Sequence, residues 1–263
     1  MPLKLLRDQL LLPGARLRQL IGRKGREWAS KINIALVRKP LPILKNPSRE
    51  LNLNLEFVAS HFALAVGGLN FIQVGAYDGK SGDPLNRLIR KYHWRGILLE
   101  PQPEAFQCLR ENYKDEKQLL FKNAAISHHD GTQNLFRVKK AGGDPTWISE
   151  SASFNKAHLL KYRKIIPDIE ERIETVEIET VTFDTLLKQS NFPTVDLLQV
   201  DAEGFDFQII KLFDICRRKP AIINFEHVNL SLADWNECAE FLLDCGYSVN
   251  VAGQDTLAYR SPY

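Results

Sequence analysis

At 263 residues and 30.1 kDa, the chain can build a full hydrophobic core in one large or two small domains. With 44% hydrophobic and 25% charged residues, and Gly and Pro at ordinary levels, it is neither disordered nor collagenous. Net charge is only +3, but residues 1–45 hold 11 Lys/Arg against Asp8 and Glu27, so a basic arm precedes an acidic body.

No run approaches the roughly 18 apolar residues of a membrane span, and Arg7 and Asp8 break the apolar stretch that a signal peptide needs. Cys108, Cys216, Cys238 and Cys245 show neither CxxC nor Cys/His ligand spacing. They read as reduced and packed, with Cys238 and Cys245 on one helical face, as in a cytoplasmic protein without a zinc site.

In the arm, Leu17, Leu20, Ile21, Trp28, Ile32 and Leu36 recur at helical spacing among basic residues. Residues 1–47 are therefore expected to form a helical arm and 48–263 the main domain. The apolar face of residues 1–45 suits peripheral contact with an anionic membrane, or equally its own core. From residue 70 the pattern becomes strand, turn, helix. Asn70–Gly75 is a β-rich run; Asp83 reads as an N-cap with Pro84 at the first helical position. Gly96–Glu100 is a second strand, Pro103 opens a helix, and Leu119–Ile126 reads as a third strand. Residues 141–170 break the rhythm as an insertion. Val176–Phe183 alternates, Val195–Val200 is an apolar strand but for Gln199, Ala221–Phe225 is another strand, and Ser231–Asp234 starts a helix that Gly246 ends. Tyr247–Val251 and Thr256–Tyr259 make a terminal hairpin. Strands alternating with helices predict a mostly parallel, doubly wound α/β sheet with an antiparallel hairpin at its C-terminus.

Ligands of such sheets bind at the carboxyl ends of the strands. The residues there are Gln73, Gly75, Tyr77, Asp78, Gly79, Glu100, Pro101, Asn123, Ala124, Asp201, Glu203, Glu226 and His227. Gly75 and Gly79 allow a tight turn and close backbone approach, and a carboxylate at Glu100 can accept both hydroxyls of a ribose. The turn is not GxGxxG, no GxxxxGK[ST] occurs, and Asp78 would repel a phosphate. The residues thus favour S-adenosylmethionine over NAD.

Five blocks in order carry a resemblance to the FkbM-type S-adenosylmethionine-dependent methyltransferases, over residues of about 70 to 252. They are Phe71–Gly79 continuing to Leu85, Trp94–Pro101, Asn123–Ser127, Val181–Leu187 and Asp196–Gly204. The resemblance implies a Rossmann-like class I methyltransferase fold and methyl transfer to a hydroxyl of a sugar, glycan or other small scaffold. By it, Glu100 would hold the ribose and Asn123 and Ala124 would line the adenine. Gln73 and Gln199 depart from the pattern, Gln73 standing where an acidic residue is common in class I methyltransferases.

Asp201 and Glu203 complement a helix dipole, yet their place at the sheet edge adds a ligand or catalytic role. His227, suited to taking a proton near neutral pH, is the expected base, with Asp201 orienting it or the acceptor and Glu203 alongside. His128 and His129 read as surface residues, and Ser151–Phe154 with Trp147 as a candidate acceptor wall. A divalent metal among Asp201, Glu203, Glu226 and His227 is conceivable, but no spacing demands it. No nucleic-acid partner is expected. The rival readings are an NAD-dependent oxidoreductase and a non-catalytic binding module on the same fold.

Overall fold

The computed structural model describes residues 53–260 apart from 193. The basic arm, with the membrane contact expected of residues 1–45, lies outside the described residues. Among these, no helix is long and apolar enough to cross a membrane.

The strands of the main sheet are β1 (Asn70–Val74), β2 (Arg95–Leu99), β3 (Leu119–Lys122), β8 (Leu197–Val200), β9 (Ile222–Glu226), β10 (Ser248–Ala252) and β11 (Asp255–Tyr259). Their order is β10-β11-β9-β8-β1-β2-β3. The five from β3 to β9 are parallel, and β11 and β10 add antiparallel at one edge, as the hairpin predicted. A second sheet, β4-β7-β5-β6, is built from Ala125–Ile126, Ile173–Val181, Gly131–Val138 and Ala152–Ser153. It draws on residues on both sides of the break at 141–170.

Period-2 alternation explains the layers. Phe71, Leu98, Leu197, Ile222 and Leu257 face one core, packed with Leu88, Ile89, Trp94 and Leu109. Ile72, Val74, Leu198, Val200, Ile223 and Phe225 point the other way and are buried as well. Only strands covered on both faces carry apolar residues so continuously. Gly96 leaves room for the Phe71 ring, which would lie 2.1 Å from an added Cβ. Helix α1 (Leu55–Val66) is capped by Asn54, whose side chain accepts from Phe57 N, and ends at Gly67 with φ +79°. Helices α2 (Asn86–Tyr92), α3 (Pro103–Asn112), α4 (Phe183–Ser190), α5 (Asp206–Phe213) and α6 (Leu232–Asp244) connect the strands.

Three local expectations are corrected. The third strand stops at Lys122, and Ala125–Ile126 pairs with β7 instead. Asn123 causes the break: its Nδ2 donates to the carbonyls of Glu100 (2.7 Å) and Pro101 (3.1 Å), pinning the chain to the end of β2. Asp83 is not the N-cap of a helix starting at Pro84, because α2 starts at Asn86 behind Leu85. Its Oδ1 accepts from Leu85 N at 2.8 Å, a turn one step ahead of the helix. Finally, Cys216 and Cys245 are not reduced. They form a disulfide across 29 residues, Cα atoms 5.1 Å apart, while Cys238 is buried and free and Cys108 exposed. Spacing along the chain could not show that contact, which arises from α6 packing back beside the segment after α5.

Candidate active site

The chain runs outward through β1, β2 and β3 and returns to place β8 against β1. The order reverses there, and a cleft of about 240 Å³ opens at the carboxyl ends. Of the residues singled out in the sequence, Gln73, Gly75, Tyr77, Glu100, Pro101, Ala124, Asp201, Glu203 and Glu226 line it. Asp78, Gly79, Asn123 and His227 do not.

Gly75 makes the closest approach. Its φ is +76°, and an added Cβ would sit 1.8 Å from the Asp201 carbonyl oxygen. Gly75 N and Ala76 N both donate to Leu99 O, at 3.1 and 2.9 Å, so the turn is laced to the end of β2. Tyr77 continues the turn with φ +46°, a sparsely populated region for a side-chain-bearing residue. Tyr77 N then donates to Glu100 Oε2 at 2.9 Å, and Gln102 N to Glu100 Oε1 at 2.8 Å. Each carboxylate oxygen can take a second donor, so Glu100 is held in place with acceptor capacity to spare. Burial pushes its pKa to about 7, against the pull of those two N–H groups.

Asp78 turns into its own loop. Desolvation works against its charge, but hydrogen bonds from Ser81 and Lys80 hold its pKa below the usual range. Gly79 packs under Leu109 and Tyr113. Both shape the loop from outside the cleft.

Across the cleft, carboxylates accumulate. Asp201 is open to solvent, yet desolvation by the surrounding protein, joined by Glu226, Asp206, Glu203 and Asp255, holds its pKa well above the usual range. Burial likewise pushes Asp206 to about 7, and burial and Glu203 push Glu226 to about 7. Asp206, fully buried, accepts from Ala202 N and Gly204 N and so braces the loop after β8. His227 packs beside Trp235 with Nδ1 3.2 Å from Thr256 Oγ1, and burial lowers its pKa.

Sequence reasoning missed several residues. Asn229 Nδ2 donates to Glu203 Oε2 at 2.9 Å and to Glu226 Oε2. His158 Nε2 lies 3.4 Å from Glu203 Oε2 and 2.6 Å from Lys161 Nζ, on a turn supplied by the second-sheet segment. No sequence signal ties residues 158 and 161 to residue 203. Of the candidate acceptor wall, Ala152, Ser153 and Phe154 line the cleft, and Phe154 meets Phe205 edge to face at 5.5 Å. Trp147 instead packs on Tyr162. Among the described residues, no group of three or more His, Cys, Asp or Glu is placed to hold a metal ion.

The raised carboxylates fix a pH dependence. In the folded chain Glu100, Asp206 and Glu226 titrate at about 7, against 4.5 for Glu and 3.8 for Asp unperturbed. Through that window the folded state holds more protons than the unfolded chain, so stability falls as pH rises. His227 pulls the other way below its ordinary 6.5, but as one group against three. Thermal melting should drop by several degrees from pH 5 to pH 8, each kcal/mol being worth about 2–4 °C at this size. Glu226→Gln should flatten the decline; a melting temperature that climbs over this range would refute the reading.

Comparison with known proteins finds a family for the chain. The Methyltransferase FkbM domain matches residues 73–249. Among solved structures, a Methyltransferase FkbM from Methylobacillus flagellatus aligns at 12% identity and TM-score 0.48, covering 73% of this chain and 43% of that one. This chain thus spans less than half of that protein. A precorrin-6y C5,15-methyltransferase from Geobacter metallireducens aligns at 16% identity and TM-score 0.39, over 74% and 81% of the two chains. Comparison with curated protein sequences returns no match. The matched domain takes in the glycine turn, Glu100 and Asp201 together, and the chain belongs to the FkbM methyltransferase family.

Proposed function

We propose that the chain is an S-adenosylmethionine-dependent O-methyltransferase that acts on a hydroxyl of a sugar, glycan or other small scaffold. The supporting observation is the charge of the cleft. Asp83, Glu100, Glu150, Asp201, Glu203 and Glu226 line it, and no Lys, Arg or His is among the lining residues, although His158 and Lys161 stand behind Glu203. A pyrophosphate against that lining would meet carboxylates, which disfavours NAD. A sulfonium and an ammonium would meet opposite charge. The same lining favours an uncharged, hydroxyl-bearing acceptor over a phosphorylated one.

The residues present fit such a donor. Gly75 lets the backbone close on it, Glu100 offers acceptor sites to the ribose hydroxyls, and the apolar Ala124 beside Pro101 suits the adenine. When bound, the donor supplies an electrophilic methyl group on sulfur. Phe154 and Ser153 wall the acceptor side, and Asp201 faces the same space from the end of β8. We assign Asp201, rather than His227, as the group that takes the proton of the acceptor hydroxyl. It lines the cleft, and its raised pKa makes it a stronger base than an ordinary carboxylate. Holding the hydroxyl in line with the methyl–sulfur bond is the remaining task, and a walled cleft serves it.

Isothermal titration with S-adenosylmethionine and NAD tests the donor, and transfer of labelled methyl to a panel of hydroxylated compounds tests the reaction. Binding of NAD but not S-adenosylmethionine would overturn the proposal, and donor binding without transfer would leave a binding module. Glu100→Ala should weaken S-adenosylmethionine at least tenfold, since hydrogen bonds to a charged group contribute about 1.5–3 kcal/mol. An unchanged dissociation constant in the folded variant would remove Glu100 from the site.

A further inference from the structure

Between β5 and β7 the chain gives the cleft its wall of Ala152, Ser153 and Phe154, then runs into a helical turn at Lys156–Leu159. Its apolar side chains stay with the second sheet. Ile148, Leu159, Ile166 and Ile169 pack with Val138 of β5, and Ala152 and Phe154 pack on Leu135 and Ile178, in cores separate from that of the main sheet. This body is rooted beside β3, because β4 follows β3 closely and pairs with β7. From there the chain reaches across the mouth of the cleft to the loops after β8 and β9, where it meets Glu203 and Asn229. The landing is mostly polar. Lys161 Nζ donates to Asn229 Oδ1 and, at 2.6 Å, to His158 Nε2. An ammonium only donates, so Asn229 turns its NH₂ end to Glu203 and Glu226, and His158 Nε2 accepts. The His158 ring then rests 3.4 Å from Glu203 Oε2 without donating to it. It fits there because residue 204 is glycine: an added Cβ would stand 2.9 Å from the ring. Ser153 Oγ reaches Glu203 O at 3.4 Å, and Phe154 meets Phe205.

We propose that residues 150–161 form a gate over the cleft, latched by Lys161 and His158 on Glu203, Gly204 and Asn229, and that the methyl donor enters and leaves when this latch opens. This rests on the reading of the cleft as an S-adenosylmethionine site. Parting at the latch exposes little apolar surface, since the apolar side chains of the segment keep their own cores, and such regions open at low cost. Closure also carries Glu150 against the like charges of Asp78 and Glu203, a repulsion that opening relieves. Closed, the segment completes the acceptor wall with Ser153 and Phe154. A gate that opens as readily over an empty cleft as over a filled one slows entry and exit by the same factor. It leaves the affinity alone, because it binds neither state of the cleft better.

The test is surface plasmon resonance of the immobilised full chain with S-adenosylhomocysteine, which lacks the transferable methyl and places nothing against the acceptor wall. Lys161→Met removes the ammonium and keeps most of the side-chain length. It should raise the association and dissociation rate constants together by at least about fivefold, with the dissociation constant held within about twofold. His158→Ala should move both rates the same way. A rise in the dissociation rate alone would make these residues supports of the bound ligand, and unchanged rates would make the segment a fixed wall; either result overturns the proposal. Should one variant lose its cooperative melt, the other decides. An unaltered chain that does not bind S-adenosylhomocysteine would instead overturn the S-adenosylmethionine reading, and the donor gate with it.

Discussion

Replacing Asp201 with Asn should cut methyl transfer by about 10²–10⁴-fold while donor affinity stays within a few-fold, the range typical of losing a general base. An alcohol is a poor nucleophile until its proton leaves, and a sulfonium gives no help in removing it. Asp201 is the carboxylate at the end of β8 that is both open to the cleft and surrounded by Glu226, Asp206, Glu203 and Asp255. Those neighbours raise its proton affinity. Turnover should accordingly increase with pH as Asp201 ionises, and the Asn variant should lose that rise. Single-turnover measurements with labelled donor and the acceptor found by screening would check both points. If Asp201→Asn keeps its turnover and His227→Ala abolishes it, the base is the histidine behind Thr256, acting from outside the cleft lining.

Gly75→Ala should remove donor binding and destabilise the chain by about 2–6 kcal/mol. A residue with a Cβ at φ +76° is strained by about 1–3 kcal/mol. The methyl would also overlap the Asp201 carbonyl at 1.8 Å, and overpacking of that kind adds about 1–3 kcal/mol. Relief would require β1 and β8 to part where Asp201 N donates to Val74 O at 3.0 Å, so Asp201 and the Gly75 turn would move together. Gly142 is the control: no atom lies within 4 Å of an added Cβ there. Gly142→Ala should therefore melt and bind donor as the unaltered chain does. Equal behaviour of the two variants would show that the approach of β1 to β8 is not rigid.

The alternation of strand and helix was legible because each element announces itself locally. Phe71–Val74 and Leu197–Val200 carry, but for Gln73 and Gln199, the apolar run of strands covered on both faces, and Ser231 caps α6 by accepting from Asp234 N at 3.1 Å. Gly75, Glu100 and Asp201 were legible for the same reason. Each is the first residue beyond a buried strand, and in a parallel sheet those ends share one edge. The second sheet was harder, because β5 pairs with β7 from Gly131–Thr180 to Val138–Ile173, across the irregular stretch between them.

The sequence by itself determined where β1, β2 and β8 stop, hence which backbone turns and carboxylates stand at the sheet edge. Only the tertiary structure decided what each side chain does there. His227 follows β9 directly, yet its ring turns to Trp235 and Thr256 on the terminal hairpin side. Asp83 looks like a helix cap until Gln73, ten residues earlier, claims its Oδ1. His158 meets Glu203 across 45 residues, and Cys216 meets Cys245 across 29. The physical reason is common to all four. Periodicity and turn chemistry act over a few residues, whereas a side chain at a strand end takes its direction from whatever packs beside it, and those neighbours come from distant parts of the chain.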